Sequence, residues 1–582
     1  MANSRLQKLG NYLRPHWRMV LLGTIALLIV NLLGVYIPLL IKDSIDTLQG
    51  ELSFNKLSQT ALLLLLLSVI MWCFRMYSRT SIFGIGRQVE FGLKQRIFQH
   101  LLTIEPGYFA NNTSGDLINR ATSDVDNIRR LVGFAVLSFI NIIFAYAFTL
   151  PVMLRINVRL TVLSIAVYPL MLLTVQLFSS KLRRYQEEIQ VKLSDLSELI
   201  QEDMSGMALI RIYAQENQER EAFREKNQQL LEANLKLART RNFLFPVIEG
   251  ISYVSLLILL WVGTKAIADG QITVGDFIAL VLFVERLVFP TALLGFTISA
   301  YQQGEVSIDR VESITKAEPK IKNSPNPIFI DRENVRGEIT ARNLTYTYPG
   351  SNTPALYDVN FKIQPGERVA VVGSIGSGKS TLANAIPRLL NIDGGELFLD
   401  DRDITKLELG SLRKAIAYVP QDSFLFSTTI KNNIRYGEPL AETEEVLESA
   451  KQAQIHSEIL TFPQEYDTLV GERGITLSGG QRQRTSLARA LIEEARVLIL
   501  DDALSSVDNE TATRILDSLS PNKGKKTVIF ISHQLSAAAT CDRILVMDRG
   551  KIVQNGTHEV LVKKSGLYQS LWQQHQLKEV LT

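Results

Sequence analysis

The stretch "MVLLGTIALLIVNLLGVYIPLLI", Met19–Ile41, runs for 23 residues without a charged side chain. A helix needs about 20 apolar residues to cross the hydrocarbon core of a bilayer, so this one is long enough to span. It is too long for a cleavable leader and lacks a small-residue cleavage site. Further spans read at about Leu57–Tyr77, Gly133–Leu154, Leu160–Ser180, Phe243–Ala268 and Thr273–Leu294. Glu285 and Arg286 interrupt the last, which makes it the weakest by hydropathy. The first half of the chain is therefore read as a six-span, membrane α-helical domain.

Basic residues near span ends set orientation. Arg5, Lys8, Arg14 and Arg18 precede span one and place the N-terminus inside. Lys42 and Lys56 in the next loop are outnumbered by Asp43, Asp46 and Glu51, which suits the outside, while Arg155 and Arg159 mildly violate the rule. Six spans then put both termini in the cytoplasm, in an integral protein of the plasma (inner) membrane. The connections are lopsided. Segments such as "LKQRIFQHLLTI" and "LSDLSELIQEDM" are polar yet keep helical apolar spacing. They are expected to carry spans two to five onward as cytoplasmic helices. The reversals are placed at "NNTSGD" (Asn111–Asp116) and at Gly206.

At 582 residues the chain is too long for one core. Its 62 basic and 59 acidic residues give a net charge of +3, without the basic excess of a nucleic-acid binder. Cys73 and Cys541 are far apart and read as two buried free thiols. The division expected is 1–314 for the membrane domain, 315–337 for a Pro-, Lys- and Asn-rich linker, and 338–582 for an α/β domain with a central sheet.

"VAVVGSIGSGKST" (Val369–Thr381) reads as a strand, a Gly-rich loop and a helix start. It fits the phosphate-binding pattern with Gly373, Gly378, Lys379 and Ser380 in place. Residues Ser374, Ile375, Gly376, Ser377 and Thr381 complete the cradle. Backbone N–H groups and a helix N-terminus offer positive potential to phosphate oxygens, Lys379 reaches the β- and γ-phosphates, and Ser380 offers a hydroxyl to Mg²⁺. "LILDDALSSVD" (498–508) supplies a second buried strand. Asp501 at its end is the candidate Mg²⁺ ligand, and Asp502 would face the water that attacks the γ-phosphate. "LSGGQRQR", 99 residues after Lys379 as counted to Ser478, opens another helix on an anion-binding N-terminus.

With these motifs in place, the soluble half resembles an ATP-binding-cassette (ABC) nucleotide-binding domain, an α/β P-loop ATPase. The whole chain resembles a half-transporter of the ABC exporter superfamily with the type IV, MsbA-like fold. The resemblance implies roles residue by residue. Tyr348, rather than Tyr346, stacks on adenine. Gln421 reaches Mg²⁺ and the attacking water. Ser478, Gly479, Gly480 and Gln481 form the signature that closes over ATP on the opposite subunit. Asp508 crosses the dimer interface, and His533 contacts the γ-phosphate. "YFANNTSGDLINRATSDV" and "MALIRIYAQE" resemble the two intracellular turns that dock on nucleotide-binding domains, and Glu472 in "VGERG" resembles the residue that meets them.

The resemblance also implies ATP and Mg²⁺ as cofactors and a dimer whose two ATP sites are each shared. One departure matters. Most active members carry Glu after the second-strand Asp, and this chain carries Asp502, a methylene shorter, as in MdlA-like subunits of heterodimeric exporters. A heterodimer with a Glu-bearing half-transporter is thus preferred over a homodimer with two slow sites. The function expected is ATP-driven export or flipping of an amphiphilic, lipid-like or drug-like molecule. The alternative is a membrane-anchored ATPase that regulates or senses without transport. Glu249, Glu285 and Arg286 are candidates for the substrate pathway, because ionisable residues inside a bilayer are costly.

Overall fold

The computed structural model describes residues 9–48, 54–519 and 526–581. Arg5, Lys8 and Glu51 of the orientation argument lie outside them. The chain divides into two compact units, Met1–Thr103 with Asn112–Ala317, and Ile104–Asn111 with Glu318–Thr582.

Six helices of the first unit are long and apolar enough to cross a membrane. The longest unbroken helix, Glu216–Ala268, has 53 residues. At 1.5 Å per residue that is about 80 Å, more than twice a bilayer core, so much of it continues past the lipid. Phe54–Leu101 and Tyr168–Ile212 are extended in the same way.

Span six (Val274–Thr315), expected to be the weakest by hydropathy, is not: its mean hydropathy of 2.1 equals that of spans two and five and exceeds the 1.9 of span four, and it is the most buried of the six. Phe283, Val284 and Leu287 lie in the core with Met153, Leu160 and Leu259. Tyr168 donates to the Val284 carbonyl at 2.8 Å. The N-terminus of span six is pinned to span one (Trp17–Leu48). Asp46 accepts from the Thr273 hydroxyl at 2.8 Å and from Gly275 N at 2.9 Å, and Lys42 pairs with Asp276 at 2.8 Å.

Several expectations are corrected. Gly206 does not reverse the chain but sits inside the helix Tyr168–Ile212. Single glycines cost a helix only about 1 kcal/mol, which its Leu- and Met-rich neighbours override. The reversal falls at Tyr213–Gln215, where Ala214 takes φ +52° and Gln215 N donates to Ile210 O at 2.9 Å. The first reversal is not one turn but a short helix, Pro106–Asn111, between two breaks. Span four is not continuous: Val158–Ile165 stops before Pro169, which starts the next helix in its first turn. The loop before it is the single extended residue Asn157, whose side chain accepts from Leu160 N at 3.0 Å. Span three is preceded by π-helical turns at Arg120–Asp124 and Leu131–Ala135, a pattern invisible to hydropathy. Of the two thiols only Cys541 is buried, while Cys73 is exposed on a membrane helix, where an apolar thiol suits lipid.

The second unit has ten strands among its described residues. They are β1 (Ile339–Tyr346), β2 (Leu356–Ile363), β3 (Arg368–Gly373), β4 (Leu397–Leu399), β5 (Arg402–Asp403), β6 (Ile416–Val419), β7 (Val497–Asp501), β8 (Thr527–Ile531), β9 (Arg543–Asp548) and β10 (Lys551–Gly556). A six-stranded sheet runs β10-β9-β3-β8-β7-β6, parallel except at β10, beside an antiparallel sheet β2-β1-β4-β5. Strands β7 and β8 are buried along their whole length, as parallel strands covered on both faces must be. Part of the Pro-rich connector is ordered against this unit. Ile328 N donates to Lys406 O and Ile328 O accepts from Glu408 N, both at 2.9 Å.

Just before β7, burial pushes the Glu493 carboxyl up to about 7, with Glu438 adding to it and Arg332 opposing. Raised above its unfolded value, this group supports folding fully at low pH, and that support is lost as pH rises from about 4.5 through 7. With partial solvent screening the loss is about 1–2 kcal/mol. Glu493→Gln should therefore raise the unfolding temperature at pH 8 and leave it unchanged at pH 5. Equal shifts at both pH values would refute this.

Candidate functional site: a phosphate cradle and its facing helix

Strand β3 ends at Gly373, and the chain curls through Ser374–Gly378 into the helix Lys379–Ala385. Gly378 has φ +99°, and a Cβ there would stand 2.5 Å from the Ala355 carbonyl, so only glycine closes this turn. Lys379 is 6% exposed and folds back over the loop. Its Nζ donates to Gly373 O at 3.0 Å and Ser374 O at 2.9 Å. Burial lowers its pKa, offset in part by the charges of Asp501 and Asp502. Ser377 Oγ is buried without a hydrogen-bond partner among the described residues, while Ile375 is 91% exposed at the loop tip.

Asp501 closes β7 and is 2% exposed. Ser380 Oγ donates to its Oδ1 at 2.9 Å, and the Tyr418 hydroxyl lies 3.2 Å from its Oδ2 and 2.9 Å from Asn384 Oδ1. Burial raises the Asp501 pKa, and the bonds from Ser380 and Tyr418 oppose that rise. Tyr418 and Asn384 were not singled out in the sequence. Strand β6 is apolar and mostly buried, so a tyrosine aimed at the site reads as an ordinary strand aromatic. Asp502 leaves the strand with φ +49°, its N donating to Ile531 O at 2.9 Å. Its Oδ1 is buried and, among the described residues, accepts no hydrogen bond. Tyr348 joins the cradle, its hydroxyl 3.3 Å from Thr381 Oγ1 and its ring edge-on to Tyr346. His533 is exposed, two residues after β8 ends.

A second group gathers around the helix Gly479–Leu491. Ser478 caps it in a capping box: its side chain accepts from Gln481 N, and Gln481 Oε1 accepts from Ser478 N at 2.9 Å. Gln483 Nε2 donates to Ser505 Oγ and its Oε1 accepts from Ser506 N, both at 2.8 Å, which fixes the turn after Asp502 to this helix. Asp508 caps the next helix, Asn509–Ser518, and the backbone bond from Thr511 holds its carboxyl below the usual range. Arg489 anchors the segment after Gln421 through Phe424 O and Asn433, another link unnoticed in the sequence. Gln421, Glu472 and Gly479 share the wall of a cavity of about 720 Å³. Elsewhere in the unit, Lys320 N donates to Glu105 Oε2 at 3.0 Å, next in sequence to the short helix Pro106–Asn111.

In the membrane unit Arg286 lines a cavity of about 440 Å³, which neither Glu285 nor Glu249 lines. Both glutamates are exposed.

A phosphate cradle closed by a buried carboxylate, on a chain with six membrane-crossing helices, defines a membrane-bound P-loop ATPase. Comparison with known proteins specifies it further. Residues 20–291 match the ABC transporter transmembrane region and residues 356–505 the ABC transporter family model. The chain is 31% identical to a probable multidrug resistance ABC transporter ATP-binding/permease protein, YheI, of Bacillus subtilis (strain 168), over 99% of this chain and 98% of that protein. It is 31% identical to the multidrug resistance-like ATP-binding protein MdlA of Escherichia coli (strain K12), over 99% and 97%. The solved structure of a bacterial Atm1-family ABC exporter with ATP bound superposes with a TM-score of 0.78 at 25% identity, covering 96% of this chain and 99% of that one. The chain belongs to the ABC transporter family, as an exporter half-transporter. It is a multi-pass membrane protein whose ATPase unit binds ATP and couples its hydrolysis to transport, and exporters of this kind commonly work as dimers.

Proposed function

We propose that this half-transporter exports a small amphiphile, lipid-like or drug-like, across the plasma membrane, with its ATPase unit and both termini in the cytoplasm. Residues 1–314 serve as the membrane domain, 315–337 as connector and 338–582 as the nucleotide-binding domain. The ATP site is Tyr348, the cradle Gly373–Thr381 and, from the opposite subunit, Ser478–Gln481 with Asp508. Ser380, Asp501 and Gln421 hold Mg²⁺. The hydroxyl beside the buried carboxylate is a hard-oxygen donor set suited to it. When bound, the ion neutralises charge on the β- and γ-phosphates. Glu472, sharing a cavity wall with Gln421, couples the ATPase unit to the membrane helices.

The observation that carries the finer reading is Asp502. Its buried Oδ1 has no hydrogen-bond partner among the described residues and so is free to accept from a water. Its side chain is one methylene shorter than Glu, and proton transfer is sensitive to such reach. We place it in a slow site whose partner, a half-transporter carrying Glu, supplies the fast one. His533 assists at the γ-phosphate. The purified chain alone should hydrolyse ATP slowly, and Asp502→Glu should raise that rate about tenfold, or ~1.4 kcal/mol. Robust turnover by the chain alone, abolished by Asp502→Asn, would sink the heterodimer. If proteoliposomes holding the assembled dimer moved no member of an amphiphile panel on ATP addition, export itself would fall.

A further inference from the structure

The cavity beside Arg286 lies inside the membrane unit, walled by spans one, two, three and six. Three guanidiniums line it: Arg75 and Arg79, one helical turn apart on span two, and Arg286 on span six. None of its lining residues is acidic. Among the described residues, none of the three arginines pairs with a carboxylate. The other polar lining comes from Asn31, Asn141 and Ser138, and the remaining walls are mostly aliphatic, with Phe289.

Arg286 is held in place. It donates to Asn31 O at 3.0 Å and Asn31 Oδ1 at 3.1 Å, and Asn31 Nδ2 donates to Asn141 Oδ1 at 3.1 Å. Space for it is made by Gly34, where a Cβ would collide with the guanidinium. Among the described residues, Arg75 reaches only the Met71 sulfur, a weak acceptor, at 3.6 Å.

An arginine at membrane depth costs about 2.5–3.5 kcal/mol on insertion scales, and such residues usually pair with one another's opposites or with backbone. Arg286 sits at that depth in span six, while Arg75 and Arg79 are exposed towards the end of span two; three like charges thus line one cavity that has no acidic lining residue, and an anion is what the arrangement lacks. Planar guanidiniums recognise phosphate and carboxylate oxygens through paired N–H donors. A volume of about 440 Å³ is in the range of small-molecule sites. We propose that this cavity binds the anionic headgroup of an amphiphile, phosphate or carboxylate, with the apolar walls taking the start of its tail. Calling that ligand a cargo rests on the export reading above; the binding itself does not.

The test is equilibrium binding to the full-length protein in a neutral maltoside detergent, which needs no ATPase readout. Dioleoyl phosphatidate should bind at least about tenfold tighter than dioleoylglycerol, which has the same tails and no charge. Arg75→Gln with Arg79→Gln should erase that preference while the unfolding temperature stays put, since neither side chain has a strong partner to lose. Arg14→Gln with Arg18→Gln, at the start of span one, should leave the preference intact. Inorganic phosphate should compete only at far higher concentration; competition at equal concentration would support the anion site with a free anion as its ligand. Equal binding of the charged and neutral lipids would overturn the proposal, as would an equal loss in the Arg14/Arg18 variant. ATP turnover stimulated by neutral amphiphiles, with no preference for phosphatidate, would keep the export reading and discard this one.

Discussion

Lys379→Ala is expected to lower the affinity of the full-length chain for ATP at least a hundredfold, with folding nearly untouched. In the structure the ammonium is 6% exposed and donates to two neutral carbonyls of the loop. A phosphate oxyanion replaces those acceptors with charged ones, and a hydrogen bond to a charged group is worth about 1.5–3 kcal/mol. Two such bonds give about 3–6 kcal/mol, a factor of about 10²–10⁴. Stability behaves differently. Burial lowers the pKa of Lys379, which means the folded protein disfavours its charge. The sign follows: a group lowered in this way makes the nucleotide-free protein more stable as pH rises through its folded value toward its normal one. Removing the ammonium therefore relieves a cost while losing two carbonyl bonds, and the unfolding temperature should move little. Lys379→Arg should not rescue, because a planar fork cannot follow a point charge into the closed loop. Titration with a fluorescent ATP analogue beside a thermal melt decides the matter. Affinity within threefold of the parent would defeat the expectation.

The contrast between cradle and surroundings shows what a sequence carries. Gly378, Lys379 and Ser380 are legible because the chemistry demands those residue types at fixed spacing along one turn. Asp501 is legible because a carboxylate at the end of an apolar run has to be explained. Tyr418, Asn384 and Arg489 are not legible, because each acts across a fold boundary. Tyr418 reaches Asp501 from the neighbouring strand, 83 positions away. Arg489 reaches Phe424 across 65. In the membrane half, hydropathy found the spans but misjudged what interrupts them. Gly206 looked like a breaker and was absorbed, while the break in span four came from Pro169. Span six carries Glu285 and Arg286, yet its most apolar window equals those of spans two and five and is the most buried of the six. Arginines from two distant stretches of chain, Arg75 with Arg79 and Arg286, became one feature only when the helices brought them to one cavity.

Arg489→Ala is expected to cost the ATPase unit about 3 kcal/mol, the largest loss of stability from any single residue around the site. The guanidinium makes three bonds of 2.9 Å, to Asn433 O, Asn433 Oδ1 and Phe424 O. It also lies 5.8 Å from the Phe426 ring centre and 5.7 Å from that of Tyr436. Asn433 is fully buried and itself bonds Phe426 N and O, so Arg489 completes a network that holds the segment after Gln421 to the signature helix. Burial lowers the Arg489 pKa, and among the described residues no carboxylate neutralises it. Its stabilisation must come from carbonyls and ring faces. Truncation strands those acceptors at about 1 kcal/mol or more each and removes the ring contacts. For a unit of this size the melting transition should fall by about 6–12 °C. Two further substitutions separate the causes. Arg489→Met fills the volume but makes no bonds, so it should recover only the packing share, since cavity and polar losses are distinct. Arg489→Lys keeps the charge but not the three-way fork, so it should recover less still, because a buried ammonium with poor partners is costly in itself. If lysine restored the transition more fully than methionine, charge rather than geometry would hold this segment. If alanine shifted the transition by under 2 °C, the anchoring role would be wrong altogether.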